Sequence, residues 1–219
     1  MGKIYTALGL MSGTSMDGVD ASIIKSDGDR EYSIKMDEYF EYGGELRQKL
    51  INIREKVLVV DDLKTHSDEI KSLEKEITLF HANAVNKILE TSKIEIDLIG
   101  FHGQTIFHDP SINITKQLGD GNMLSQLTKK LVVYDFRQND LKNGGQGAPL
   151  APIYHYLLVK TFKAKGTIKI PTIILNIGGI ANITSINESY KMTSMDIGPG
   201  NCLIDKWIIK TFIRIRDNP

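Results

Sequence analysis

The sequence predicts a mixed α/β protein: an α+β first domain built on a mixed sheet, and the opening of a second domain. Three observations predict it. The first forty residues read as three consecutive strands, residues 67–92 read as one long amphipathic helix, and a Gly/Pro-rich break at 143–152 precedes a second strand–glycine turn–strand pattern. The domain expectation is therefore 1–150 for the first unit and 151–219 for an incomplete second one.

Residues 4–10 are apolar and end in a glycine- and hydroxyl-rich turn, and residues 19–25 resume a β pattern. Ser26-Asp27-Gly28-Asp29 is a hairpin signal, after which Tyr32, Ile34, Met36 and Phe40 mark a third strand. Three antiparallel strands opening a chain predict a mixed sheet. From 67 to 92 the residues Ile70, Leu73, Ile77, Phe80, Ala84, Val85 and Ile88 recur at three and four, a stripe that belongs to core packing. A buried strand is expected at 96–101, running into His102-Gly103-Gln104. A helix is expected at 120–130, a strand at 131–135 and a helix at 151–162. In the second unit, strands at 172–177, 180–186 and 191–196 are separated by Gly178-Gly179 and followed by an Ile197-Gly198-Pro199-Gly200 turn. Gly200 or Asn201 then caps a helix to about Phe212.

With 27 basic and 27 acidic side chains the formal net charge is +0, which gives no electrostatic reason to expect nucleic acid or an anionic membrane. The single cysteine, Cys202, cannot form an internal disulfide and reads as a small buried hydrophobe rather than a nucleophile. Met1-Gly2 fits the loose myristoylation pattern, and the run after Ile4 is too short for a signal peptide; a buried strand explains both. No stretch approaches the roughly 20 apolar residues of a membrane helix. A soluble cytoplasmic protein is the expectation.

Five segments carry chemistry. Gly13-Thr14-Ser15-Met16-Asp17-Gly18-Val19-Asp20 is a tight turn whose backbone N–H groups and hydroxyls suit phosphate oxygens, and Asp17 or Asp20 can hold Mg2+ through water. An ordinary hairpin turn is the plainer alternative. No P-loop and no Rossmann glycine pattern is present. Asn176-Ile177-Gly178-Gly179-Ile180-Ala181-Asn182 repeats the strand–glycine–strand pattern, so Gly178 and Gly179 are candidate phosphate contacts from an opposite wall. Two such loops fit an actin-like architecture better than a single-loop nucleotide fold. Asp196, at a strand end before Gly198-Pro199-Gly200, sits where a catalytic base is useful, or else caps a turn. His102 and Gln104, with His108 nearby, suit substrate hydrogen bonding or a satisfied core histidine better than a metal. Asp120, within Gln117-Leu118-Gly119-Asp120-Gly121-Asn122, and Arg137 and Asp140, within 135–140, supply groups of the type that bind sugar hydroxyls, or simple turn chemistry. Arg137 is the residue expected to meet a carboxylate or phosphate.

Together these segments resemble one family. Residues 9–20, 100–105, 117–121, 135–140, 144–149, 176–182 and 196–201 resemble, in order, the anhydro-N-acetylmuramic acid kinases. The resemblance implies an actin-like ATPase fold of the ribonuclease H-like class, with two domains around an ATP cleft. It implies ATP-dependent opening of a 1,6-anhydro sugar by water and phosphorylation of O6 in peptidoglycan recycling, with Gly13 to Asp20 binding ATP and Asp196 as general base. ATP with Mg2+ and a small amino sugar are the expected ligands; a homodimer is compatible, nucleic acid and membrane are not expected. The family's pattern carries Thr where this chain has Ile197. The family also continues beyond Asp217-Asn218-Pro219, and residues 212–216 cease to resemble it. The expectation is a truncated chain with weak or absent activity alone, whether as a split half or a non-catalytic remnant.

Overall fold

The computed structural model describes residues 2–216, and the side chains of all of these except Ile209 and residues 212–216. The Met1 part of the myristoylation pattern and the Asp217-Asn218-Pro219 stop lie outside the described residues. The chain divides into two compact units, one ending at Ala148 and one beginning at Pro149.

The first unit is built on a mixed sheet in the order β3-β2-β1-β4-β5. Its strands are β1 (Tyr5–Ser12), β2 (Gly18–Ser26), β3 (Tyr32–Glu41), β4 (Leu98–Asp109) and β5 (Ile114–Leu118), with β6 (Leu131–Val133) also on β4. β1, β2 and β3 are joined antiparallel, as the hairpin signals predict. β1 then pairs parallel with β4, which needs a long crossover: α1 (Gly44–Lys56), α2 (Asp62–Thr65) and α3 (Ser67–Ser92) supply it. The far edge of β4 is shared, β6 pairing with Leu98 to Gly100 and β5 with Gln104 to Asp109. Alternation along β1 buries Leu8, Leu10 and Ser12, and α3 answers with Ile70, Leu73, Ile77, Val85 and Ile88. These residues, with Ile99, Phe101 and Leu118, form one continuous core.

α3 has the bounds its apolar stripe predicts. α1, β5 and α5 (Phe136–Lys142) were not expected from the sequence. α1 buries only Leu50 and Ile53 fully, too thin a stripe to read. β5 is five residues of mixed polarity. α5 is seven residues long and starts after Asp135 in a left-handed conformation (φ 60°).

The second unit has α6 (Pro152–Ala164), an antiparallel sheet β7 (Thr172–Ile177), β8 (Ile180–Ile186) and β9 (Met192–Pro199), and α7 (Asn201–Arg216). β9 runs past the expected end at 196, through Gly198 and Pro199. A register shift against β8 at Ala181/Asn182, and a φ of 146° that only Gly198 adopts freely, let the strand continue where a turn was expected. α6 packs on this sheet through Leu157 and Val159, and His155 Nδ1 meets Thr184 Oγ1 at 2.7 Å.

Candidate active site

The glycine turn between β1 and β2 is held from behind. Ser12, buried at the end of β1, has its hydroxyl 2.5 Å from Gln104 Oε1 and 3.0 Å from Gly18 O, and it accepts from the Tyr42 hydroxyl at 2.9 Å. Burial pushes the Tyr42 phenol well above its ordinary pKa, so it remains a donor. Gln104, fully buried on β4, donates through Nε2 to Gly13 O at 3.0 Å. Arg54 of α1 donates to Thr14 O at 2.8 Å, and Tyr42 N donates to Asp17 O at 2.8 Å. Three of the turn's carbonyl oxygens, those of Gly13, Thr14 and Asp17, are thus fixed on protein donors. The N–H groups of Gly13, Thr14 and Ser15 donate to no acceptor among the described residues. A turn with carbonyls held inward and N–H groups free is the arrangement an anion requires.

Met16 closes the turn by donating from its N to Gly13 O at 3.3 Å, with φ 53° and its side chain in the core. Val19 is likewise buried, so neither side chain is open to a ligand. Gly18 has no room for a side chain: an added Cβ would collide with the Phe40 carbonyl and lie 2.6 Å from the Tyr39 hydroxyl. Ser15 Oγ donates to Asp17 Oδ1 at 2.5 Å. Burial, and then the neighbouring Asp17 charge, raise the Asp20 pKa; burial and then Asp17 do the same for Tyr39. The exposed side of the turn is therefore electronegative at the two carboxylates. No group of three or more His, Cys, Asp or Glu side chains among the described residues is arranged to hold a metal ion.

A second cluster gathers His102, Arg137 and Asp140. Arg137 Nε donates to His102 Nε2 at 2.7 Å, and His102 Nδ1 lies 2.7 Å from Gly103 O. Because Nε2 accepts, Nδ1 must carry the proton, and the imidazole is neutral. Burial and the Arg137 charge lower the His102 pKa to about 4. Arg137 Nη1 donates to Gly147 O at 2.8 Å, and Gly147 N donates to Asp140 Oδ2 at 2.7 Å. Asp140 thus folds the 144–147 loop back so that its carbonyl reaches the guanidinium.

Asp120 caps α4 (Gly121–Thr128), accepting from Met123 N at 2.9 Å, which is the turn chemistry its segment allowed. It also borders an open recess of about 310 Å3 lined by Gln117, Asn122, Asp135 and Gln138. Of the five residues expected to bind substrate, three therefore meet in one cluster. Gln104 braces the glycine turn, and Asp120 stands apart on the recess.

In the second unit the glycine segments do meet. Gly200 N donates to Gly179 O at 2.9 Å and Asn201 N to Gly178 O at 2.7 Å, tying the β7–β8 turn to the start of α7. Asn176, Asn182 and Asp196 pair across the three strands, so they share one sheet face. Asn182 Oδ1 is buried and accepts no hydrogen bond among the described residues.

Ser12, Tyr42 and Arg54 were not singled out from the sequence. Ser12 adjoins the glycine turn and could have been included on that ground. Tyr42 and Arg54 lie 30 and 40 residues from their partners and carry no local signal.

Comparison with known proteins agrees with the ordered motifs. The chain is 55% identical over 212 residues to an anhydro-N-acetylmuramic acid kinase of Pelagibacter ubique, covering 95% of this chain and 55% of that protein. It is 41% identical to proteins of the same name from Agrobacterium fabrum and Rhizobium etli, over 214 and 215 residues, covering 95% of this chain and 56% of each. The chain thus spans a little over half the length of the curated relatives it matches. The mixed sheet is consistent with an actin-like sugar-kinase fold. A family profile described as anhydro-N-acetylmuramic acid kinase matches residues 5–217, and the chain belongs to that family.

Proposed function

We propose that this chain supplies the phosphate-binding turn, the substrate cluster and the general base of an ATP-dependent anhydro-N-acetylmuramic acid kinase. The observation that carries the reading is the Gly13–Ser15 turn, whose carbonyls are tethered and whose N–H groups are free. These N–H groups would cradle ATP phosphate oxygens; Gly178 and Gly179 are proposed phosphate contacts as well. Asp17 and Asp20 would hold Mg2+ through its water ligands, the mode Mg2+ favours. The cation would supply charge neutralisation between phosphates and relieve the Asp17–Asp20 repulsion that helps raise the Asp20 pKa.

Asp196 would take a proton from water as that water attacks the anomeric carbon of the anhydro sugar. The C1–O6 bond breaks, and O6 attacks the γ-phosphate to give the 6-phosphate and ADP. An ionised carboxylate suffices for this step, and positioning with charge stabilisation supplies most of the rate. The proposed domains are 1–150 and 151–219; a homodimer is a further proposal of this reading.

The test measures 6-phosphate formation from Mg-ATP and 1,6-anhydro-N-acetylmuramic acid. It is run with the chain alone and with a polypeptide carrying the share of the Pelagibacter relative that the chain does not match. Turnover is expected to be weak or absent for the chain alone, restored by the added segment, and abolished by Asp196→Asn. Turnover that survives Asp196→Asn, or none in either format, refutes the assignment.

A further inference from the structure

The sheet of the first unit carries apolar residues on both faces, and α1 and α3 cover the one where Leu8, Ile23 and Ile99 point. On the reverse face the strand registers set one apolar row across the sheet: Ile34 on β3, Ile24 on β2, Ala7 on β1, Leu98 on β4 and Leu131 on β6. The two ends of the row are open, Ile34 being 53% and Leu131 64% exposed. The neighbouring row runs Ser22, Gly9, Gly100, Val133. A Cβ at Gly9 would have the Ser22 carbonyl as its nearest neighbour at 3.9 Å, and one at Gly100 would meet the Phe136 ring at 3.8 Å. The paired glycines therefore leave a shallow trough beside the apolar row. Glycine within a strand marks places where another backbone comes close. β1 and β4 are parallel, as are β4 and β6, and parallel strands are found with both faces covered.

α7 presents a surface that matches. Its exposed apolar residues Leu203, Ile204, Trp207 and Ile208 recur at one, four and five, which places them on one stripe of the helix. Trp207 is 67% exposed, so the chain leaves its largest apolar side chain in water. Over 201–216 the sequence carries one acid, Asp205, against four bases, Lys206, Lys210, Arg214 and Arg216. The uncovered sheet face has the opposite sign along its β2–β3 side. Asp20, Asp37 and Glu41 are exposed there, Asp37 beside Ser22 and Asp20 beside Met11.

We propose that the uncovered face of the first-unit sheet takes α7 of a second copy of this chain, the apolar stripe of the helix lying on the glycine trough and its positive charge toward Asp20, Asp37 and Glu41. Burial of the two apolar surfaces drives the contact, and the charges set its orientation. The contact joins unlike surfaces. It closes into a dimer where it is made twice and otherwise adds copies in a row. It gives the proposed homodimer a surface and does not depend on phosphoryl transfer.

The experiment combines sedimentation velocity with tryptophan emission on the full chain over a dilution series. Trp207 is the single tryptophan, so its emission reports on α7. Mass should rise above the monomer with concentration, the emission should move to shorter wavelength with the same midpoint, and added salt should raise that midpoint. Leu131→Glu and Ile204→Glu replace exposed residues and should melt like the parent. Each should raise the midpoint at least about 10-fold, because each puts an unpaired carboxylate into an apolar contact. Leu58→Glu, at an exposed position in the α1–α2 connection, should associate like the parent. Leu131→Glu keeps an intact helix and Ile204→Glu an intact sheet face, so their mixture should associate where neither does alone. The proposal is overturned by a chain that stays monomeric throughout, by association that survives both variants, or by a mixture that stays monomeric. Loss of association in Leu175→Glu but not in Leu131→Glu would put the helix on the sheet of the second unit and also overturn it. So would a Trp207 shift seen only with the added polypeptide of the turnover assay, which would then be the occupant. Turnover is read separately, so failure here leaves the kinase reading standing, and failure of that reading leaves the contact standing.

Discussion

Replacing Gln104 by Met tests whether this side chain braces the glycine turn or touches substrate. Gln104 is fully buried, donates to Gly13 O at 3.0 Å and accepts from Ser12 Oγ at 2.5 Å. Met fills a similar volume and can make neither bond. Ser12 would keep Gly18 O as an acceptor at 3.0 Å, so its hydroxyl stays satisfied. Gly13 O would retain only the 3.3 Å bond from Met16 N. One lost bond and one weakly held carbonyl together cost about 2 kcal/mol, at the lower end because Gly13 is half-exposed and water can reach it. For a unit of this size that lowers Tm by roughly 4–8 °C. Thermal melts give the stability, and a fluorescent ATP analogue gives the effect on the turn. Gln104→Met should lower both. Gln104→Glu should be worse near neutral pH, since a carboxylate oxygen would then face Gly13 O, and should recover partly in acid. A Gln104→Met protein that melts like the parent and binds the ATP analogue normally, yet loses sugar, would refute the brace.

Gly18→Ala should destabilise by ~1–3 kcal/mol and weaken nucleotide binding, because its Cβ must displace the Tyr39 ring or the Phe40 carbonyl. Gly44→Ala, with open space around its Cβ, should melt unchanged or slightly higher; equal melts for the two variants would contradict the packing. His81 and His102 have folded pKa values lowered to about 4 by burial, from 6.5, so their contribution is complete above pH 6.5 and is lost as pH falls toward 4. Melting temperature should therefore drop across that window. His81→Leu should remove a slope worth ~3 kcal/mol, and a parent protein with a flat profile would exclude the buried neutral imidazole.

What the sequence disclosed depended on the range of the interaction. α3 was legible because one residue in every three or four along it faces the same core. β7 and β8 were legible because apolar runs end at paired glycines. The turn from Gly13 to Asp20 and the base candidate Asp196 were visible as local patterns. The supports of that turn were not. Tyr42 reaches Ser12 only because β3 returns alongside β2, and Arg54 reaches Thr14 only because α1 packs beneath it. Asp140 stood out as a candidate sugar ligand because its segment is polar, and nothing local announced that its Oδ2 accepts from a backbone N–H seven residues later. Periodicity reports burial. It carries no information about which buried polar groups find each other across the sheet.

The two units hold their chemistry with unequal rigidity, and this bears on how a loss of activity should be interpreted. The continuous buried core lies entirely within the first unit, between Leu8 and Leu124, directly behind the glycine turn. Asp196 lies on the three-stranded sheet, on the face shared with Thr184, which α6 helps cover through His155. The other face carries Ile173, Leu175, Ile177 and Met195, each more than half exposed. A sheet covered on one face has half the packing to fix the positions of its strands. The register shift at Ala181/Asn182, next to the Asp196 pair, is where that constraint is thinnest. An Asp196 carboxylate held this way can be chemically intact and still poorly placed. Low turnover by the chain alone would therefore indict the sheet before it indicted the residue. Only the comparison of Asp196→Asn with the parent, made in the presence of the added polypeptide, isolates the contribution of the carboxylate.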